Sequence, residues 1–173
     1  MKTFDFAIVA SGFDPQGAYE DALFEAGCDD ATVSLQKGVL ILEFDRRAVS
    51  FSRAVATACQ NVLDAGLKVE RIEPDHLVSL AEIAERAQLS RQAITLYAKG
   101  ERGHGFPPPA AKVTSKHPLW DWCEVAVWLH GKSQISMDEV VQARVVKEAN
   151  THISAAEIGC DNFLRRLEEC NAA

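Results

Sequence analysis

The chain has 173 residues, 47% hydrophobic and 25% charged, enough for one medium domain or two small ones with a filled core. No apolar run approaches the roughly 20 residues of a membrane helix. The opening MKTFDFAIVASGF alternates like a strand rather than a signal peptide, so a cytoplasmic protein with no membrane partner is expected.

The net charge of −7 speaks against bulk attraction to nucleic acid, but it is unevenly spread. Residues 1–75 carry a net of −6 and residues 133–173 a net of −3. Residues 76–132 carry +2 and four of the five histidines. A small cationic head on an acidic body fits this distribution. Cys28, Cys59, Cys123, Cys160 and Cys170 are scattered, with no C-x-x-C pair and no histidine at zinc-finger spacing. They read as small hydrophobes, and neither a metal nor a cofactor is expected.

In chain order, Phe4, Phe6, Ile8 and Ala10 alternate as a half-buried strand requires. Asp14-Pro15 predicts a helix start, running to about residue 26 with Ala18, Ala22, Leu23 and Ala26 inward and Gly27 as its stop. Residues 32–36 and 39–44 read as two strands joined by Lys37-Gly38, a tight hairpin link. A second helix spans about 50–65, with Phe51, Val55, Ala58 and Val62 inward and Gly66 at its end. Residues 67–72 complete a βαββαβ order, the ferredoxin-like arrangement of an antiparallel sheet with two helices on one face. Such a module can dimerise, sense a small ligand or dock a protein partner, and its residues single out no pocket.

Glu73-Pro74-Asp75-His76 marks a domain boundary, giving domains 1–75, 76–132 and 133–173. The last is expected to be a helical pair with capping boxes at Ser136/Glu139 and Ser154/Glu157. Its first helix presents Val140, Val141 and Val145, and its second Ile158, Phe163, Leu164 and Leu167. Neither face can be buried alone, so these helices pack on the body or on a second subunit.

The middle segment, VSLAEIAERAQLSRQAITLYAKG (78–100), carries the functional signal. Ser79 and Glu82 make a capping box for a helix whose stripe is Leu80, Ile83, Ala84 and Ala87. Leu89 plugs a short turn, and Ser90 caps a second helix over about 90–100. On that helix Ala93, Ile94 and Tyr97 face inward, leaving Arg91, Gln92, Thr95 and Lys99 outward or flanking. Arginine and glutamine pair bidentately with guanine and adenine edges, and threonine meets a thymine methyl. A lysine late in the helix suits a phosphate, as do the free N–H groups of the helix start. A plain helical hairpin with a solvated face would share this pattern.

Three glycines and three prolines between Gly100 and Pro109 demand a loop. It has no preceding strand and no G-K-[ST], so it is not a nucleotide cradle. Residues 112–114 and 116–120 then suit the two arms of a short β-wing. A third helix over 122–130 turns Val125, Ala126 and Leu129 inward, with Trp120, Trp122 and Trp128 as core anchors.

Taken together, Glu82-Ile83-Ala84, Leu89-Ser90-Arg91, the Gly105-Phe106-Pro107-Pro108-Pro109 loop and the run Trp120-Asp121-Trp122-Cys123-Glu124-Val125-Ala126-Val127-Trp128-Leu129 resemble the MerR-like winged helix-turn-helix superfamily. The likeness is closest to AlpA-type phage regulators and excisionase-like proteins, and covers about 50 residues. It implies Ser90, Arg91, Gln92 and Thr95 in a major groove, with Lys112, Thr114 and Lys116 of the wing near the backbone or minor groove. The long C-terminal dimerisation helix of full MerR proteins is missing, and an acidic N-terminal domain is foreign to the short AlpA-type proteins.

An α+β protein with these three parts is therefore expected to be a DNA-binding transcriptional regulator acting on double-stranded DNA as a homodimer. The candidate contacts are Ser90, Arg91, Gln92, Thr95, Lys99, Arg102, Lys112, Thr114 and Lys116. The alternative is an antitoxin or adaptor whose N-terminal domain holds a protein partner while the helix-turn-helix autoregulates. An enzyme is not expected, because no nucleophile–base set, metal spacing or nucleotide loop is visible.

Overall fold

A computed structural model describes residues 1–156 and 162–172. The protein is mixed α+β and divides into two compact units, Met1–Pro74 with Val145–Ala173, and Asp75–Arg144. Of residues 133–173, 133–144 fall in the second unit and 145–173 in the first.

The first unit opens with β1 (Lys2–Ser11), α1 (Tyr19–Glu25), β2 (Ala31–Gln36), β3 (Val39–Ala48), α2 (Phe51–Asp64) and β4 (Lys68–Glu73). The strands form one antiparallel sheet in the order β2-β3-β1-β4. Ile8 lies between Leu42 and Ile72, all three fully buried. Each such side chain contributes about 1.5–3 kcal/mol by leaving water. Against this sheet α2 turns Val55, Ala58, Cys59 and Val62, each buried. At the β2–β3 hairpin Lys37 (φ +50°) and Gly38 (φ +83°) both adopt the left-handed backbone that a type I′ turn needs. Glycine does so freely; lysine carries the strain.

The expected helix start at Asp14 is corrected, since α1 begins five residues later at Tyr19. Asp14 instead closes a turn, its carboxylate accepting from the Gln16 amide at 3.0 Å and its carbonyl from Gly17 at 2.9 Å. Short acidic side chains offer the backbone such local bonds in place of a helix.

In the second unit β5 (Leu77–Val78) pairs with β6 (Trp120–Asp121). Between them lie α3 (Leu80–Arg86) and α4 (Arg91–Ala98), and after them α5 (Trp122–Gly131). Val78, Ile83, Ile94, Trp120, Val125 and Leu129 form the core. Asp121 caps α5, accepting from the Cys123 amide at 2.8 Å.

The chain ends in α6 (Met137–Ser154) and α7 (Asn162–Glu169). Ser136 and Glu139 make the reciprocal capping contacts at the start of α6. Ser154 is not an N-cap: it is the last residue of α6, donating to the Asn150 carbonyl at 2.8 Å. A serine hydroxyl inside a continuing helix bonds back one turn. Its expected partner Glu157, with Ile158 and Cys160, lies outside the described residues. Within the first unit, α7 packs on α2, and the buried Asn150 side chain meets the outer edge of β4. No helix among the described residues is long and apolar enough to cross a membrane.

Candidate nucleic-acid interface

The approach to the site is set by α3. Ser79 and Glu82 complete the capping box at its start, the Ser79 amide donating to Glu82 at 2.7 Å. That amide and the Ser79 hydroxyl hold the Glu82 carboxyl below the usual carboxylate range. At the other end the Gln88 amide returns to Glu85 and the Leu89 amide to Ala84, at 3.1 and 2.9 Å. These paired bonds require a left-handed residue between them, and Gln88 supplies it at φ +53°. Leu89 then packs partly buried on the core, which fixes the direction in which α4 leaves the turn.

The start of α4 gathers three of the candidate residues. Ser90 caps it, its hydroxyl accepting from the Ala93 amide at 3.1 Å while its own proton stays available. Arg91 and Gln92 follow, both exposed in the first turn, because Ile94 and Tyr97 take the buried face. Thr95 is half-buried, and its hydroxyl donates to the Arg91 carbonyl at 2.8 Å. The Thr95 hydroxyl proton is therefore committed to the backbone, and the oxygen can act on a ligand only as an acceptor. Lys99 ends the helix exposed. Arg102 does not extend this row freely, since its guanidinium lies over the Tyr97 ring at 5.3 Å.

The expected two-armed wing is corrected. Only one bridge forms, Ala111 with Leu119, their amides and carbonyls exchanging bonds at 3.0 and 2.9 Å. Residues 112–118 are a closed loop, turned by Lys112 at φ +51° with the Ser115 amide on the Lys112 carbonyl at 2.9 Å. Two prolines and a serine–histidine turn nearby leave too few amides for a longer ladder. Lys112, Thr114 and Lys116 all sit exposed on this loop. Among the described residues none of Arg91, Lys99, Lys112 and Lys116 is in an ion pair.

Two features of these units escape a sequence reading. The first is how the tryptophans anchor the Gly/Pro loop as well as the core. Trp128 donates to the His104 carbonyl at 3.0 Å, and Trp120 to the Pro107 carbonyl at 3.1 Å. Tyr97 and Phe106 meet the Trp128 ring edge-on, at 4.9 and 5.2 Å between centroids. Gly103 and Gly105 lie beside that ring with φ of +74° and +77°, a left-handed backbone that glycine adopts without strain. A run poor in amides followed by indole N–H groups is the signal that points to this clamp.

The second is Arg46, a charged residue buried in the first unit. Its guanidinium meets Asp30 through two bonds at 2.9 and 2.8 Å, the Gly27 carbonyl at 2.8 Å, Asn61 at 2.7 Å and Thr57 at 3.3 Å. Asn61 in turn donates to the Ala26 carbonyl. A hollow of about 390 Å³ opens beside this network, but every guanidinium donor is already engaged. Its work is structural, joining β3 and α2 to the loop after α1. Burial pushes the thiols of Cys28 and Cys59 up, to about 11 and about 12, so neither is a nucleophile near neutrality. Among the described residues no group of three or more His, Cys, Asp or Glu side chains is disposed to hold a metal ion.

No protein-family model, no curated protein and no solved structure matches the chain.

Proposed function

We propose that the protein is a sequence-specific transcriptional regulator that binds double-stranded DNA through its second unit, read as a MerR-like winged helix-turn-helix. The first unit is read as a ferredoxin-like module, a reading supported by its element order and its β2-β3-β1-β4 sheet. The observation that carries the DNA reading is the Arg91–Gln92 pair. Both side chains stand exposed on the first turn of a helix whose cap, turn and opposite face are held by packing.

Recognition helices enter the major groove with their N-terminal residues at the base edges. There Arg91 and Gln92 supply bidentate donors and acceptors, and the Thr95 methyl an apolar contact. Ser90, Lys99, Lys112 and Lys116 serve the phosphates, which position the protein without reading sequence. With few cations, one copy has modest affinity, and a homodimer on an inverted repeat supplies the rest.

The test is selection of bound duplexes by the full chain, followed by anisotropy titration of the winning site. Arg91→Ala with Gln92→Ala should cost about 1–3 kcal/mol per lost base contact and relax specificity at those positions. Lys112→Ala should instead weaken all sequences alike and lower the salt slope by about one. Unchanged affinity and unchanged preference in the Arg91/Gln92 pair would remove α4 as the reading element.

A further inference from the structure

The two faces of the first unit's sheet are set by alternation along β1 and β3. Phe4 and Phe6 turn to the side of α2, where the Phe51 ring lies 5.7 Å from each between centroids. Asp5, between them, therefore points to the other side, and Asp45 is its partner on β3. The Asp45 amide donates to the Asp30 carbonyl at 3.1 Å, so the main chain of Asp45 faces away from β1. Asp5 and Asp45 are thus a non-hydrogen-bonded pair, the arrangement in which opposite Cα atoms come closest, to about 4.5 Å. Like charges directly opposite one another destabilise a sheet.

The surroundings do not neutralise the pair. Glu43 and Glu73 lie one step along, as the β3 and β4 partners of Ala7, and line a hollow of about 480 Å³ together with Asp5 and Asp45. Arg71 on β4 is paired with Glu73 at 2.7 Å. Past the start of β2 stand Asp29 and Asp30, the second bound to Arg46 at 2.8 Å. Arg47 lies two residues beyond Asp45, opposite Thr3. Among the described residues neither Asp5 nor Asp45 is in an ion pair.

We propose that Asp5 and Asp45 are a proton-operated latch between β1 and β3, closed by one proton held between the two carboxyls. With the proton in place one carboxyl donates to the other and the pair attracts; without it the same side chains push the strands apart. The Asp5 carboxyl is held above the usual carboxylate range by its hydrogen bond to Asp45, by desolvation and by the Asp45 charge, in that order. A carboxyl raised in the folded state adds stability that is complete below its unfolded pKa and is lost as the pH rises through the folded value. The latch therefore closes in acid and opens toward neutrality, opposite in sign to the Glu82 cap. Phe4 with Arg46 and Phe6 with Phe44 are the hydrogen-bonded pairs on either side of it, so the start of β1 and the end of β3 are what loosen. None of this depends on DNA.

The test is NMR titration of the full chain, DNA-free, following the Asp5 and Asp45 carboxyl carbons and the exchange protection of the Phe4, Phe6, Phe44 and Arg46 amides. The Asp5 signal should move in a step above the ordinary carboxylate range, and the Asp45 signal should respond to it. Protection should fall about two- to fivefold as the pH rises through that step, the size of a like-charge cross-strand pair. Asp45→Asn replaces the like charge with an amide that donates to Asp5. The step should then return to the ordinary range or below, and protection should no longer follow it. Both residues are exposed, so the substitution does not touch the core. Glu43→Gln removes a carboxylate from the same face without touching the pair, and should leave the step in place. Molar salt screens a general acidic field but not a proton held between two carboxyls, so the step should persist there as well. An Asp5 carboxyl that titrates in the ordinary range, or a raised step that survives Asp45→Asn, overturns the proposal. So does a step that vanishes in molar salt or with Glu43→Gln, or amide protection indifferent to it.

Discussion

The two units differ in the partners they give their positive charges. In the first, Arg46 is buried with every donor engaged, and Arg53, Lys68 and Arg71 each sit against a glutamate. In the second, Arg86, Arg102 and Lys132 lie over Trp122, Tyr97 and Trp128, while Arg91, Lys99, Lys112 and Lys116 stand exposed and outside any ion pair. An acid partner cancels the field of a cation; an aromatic face leaves most of it intact. The chain as a whole is acidic, and the first unit also exposes Lys37, Arg47 and Arg165, yet residues 76–132 of the second unit carry a net of +2. Net charge is a poor guide when neutralisation is local.

The largest effect that sharpens this contrast is at Arg46. Arg46→Ala strands Asp30 and Asn61 in a partly buried setting and should cost about 3–5 kcal/mol, read as a shift in the urea midpoint. Arg46→Lys should recover little, because an ammonium cannot span the fork that Asp30, Asn61 and Gly27 occupy. A loss near that of an exposed arginine would erase the difference between the units. Arg91→Ala, by contrast, should leave the midpoint within about 0.5 kcal/mol of the native chain.

A smaller effect, of opposite sign, is expected at the turn between α3 and α4. Gln88 pays for a left-handed backbone that glycine adopts without strain, so Gln88→Gly should stabilise by up to about 1 kcal/mol in thermal unfolding. A destabilised variant would mean that the glutamine side chain, exposed as it is, holds the turn in a way the backbone does not reveal.

The smallest concerns acid. The Glu82 carboxyl is held below its usual range by the Ser79 amide and hydroxyl. A carboxyl depressed in the folded state adds stability that is complete above its unfolded pKa and is lost as the pH falls through the lower folded value. Glu82→Gln should remove that part of the acid sensitivity, seen as converging melting temperatures of the two proteins at low pH. Curves that stay parallel would assign the cap no titrating role.

What the sequence by itself determined is what neighbours in the chain can settle. The hairpin at Lys37-Gly38, the caps at Ser79, Ser90 and Ser136, the stop at Gly66 and the inward faces of α2 to α5 all follow from periodicity and residues within a few positions of one another. So does the exposure of Arg91 and Gln92, because Ile94 and Tyr97 claim the other face of a short helix. Asp14 shows the limit even of local reading, since one residue offers both a helix cap and a closed turn. The tertiary structure alone decided the rest. Arg46 finds Asp30 and Asn61 from separate elements, Asn150 closes β4 from far along the chain, and the Trp128 ring fixes a loop that sequence leaves open. It also reduced the wing to one bridge and divided the C-terminal helices between two units. A buried polar group must find partners wherever the fold brings them, and no spacing in the sequence records where that is.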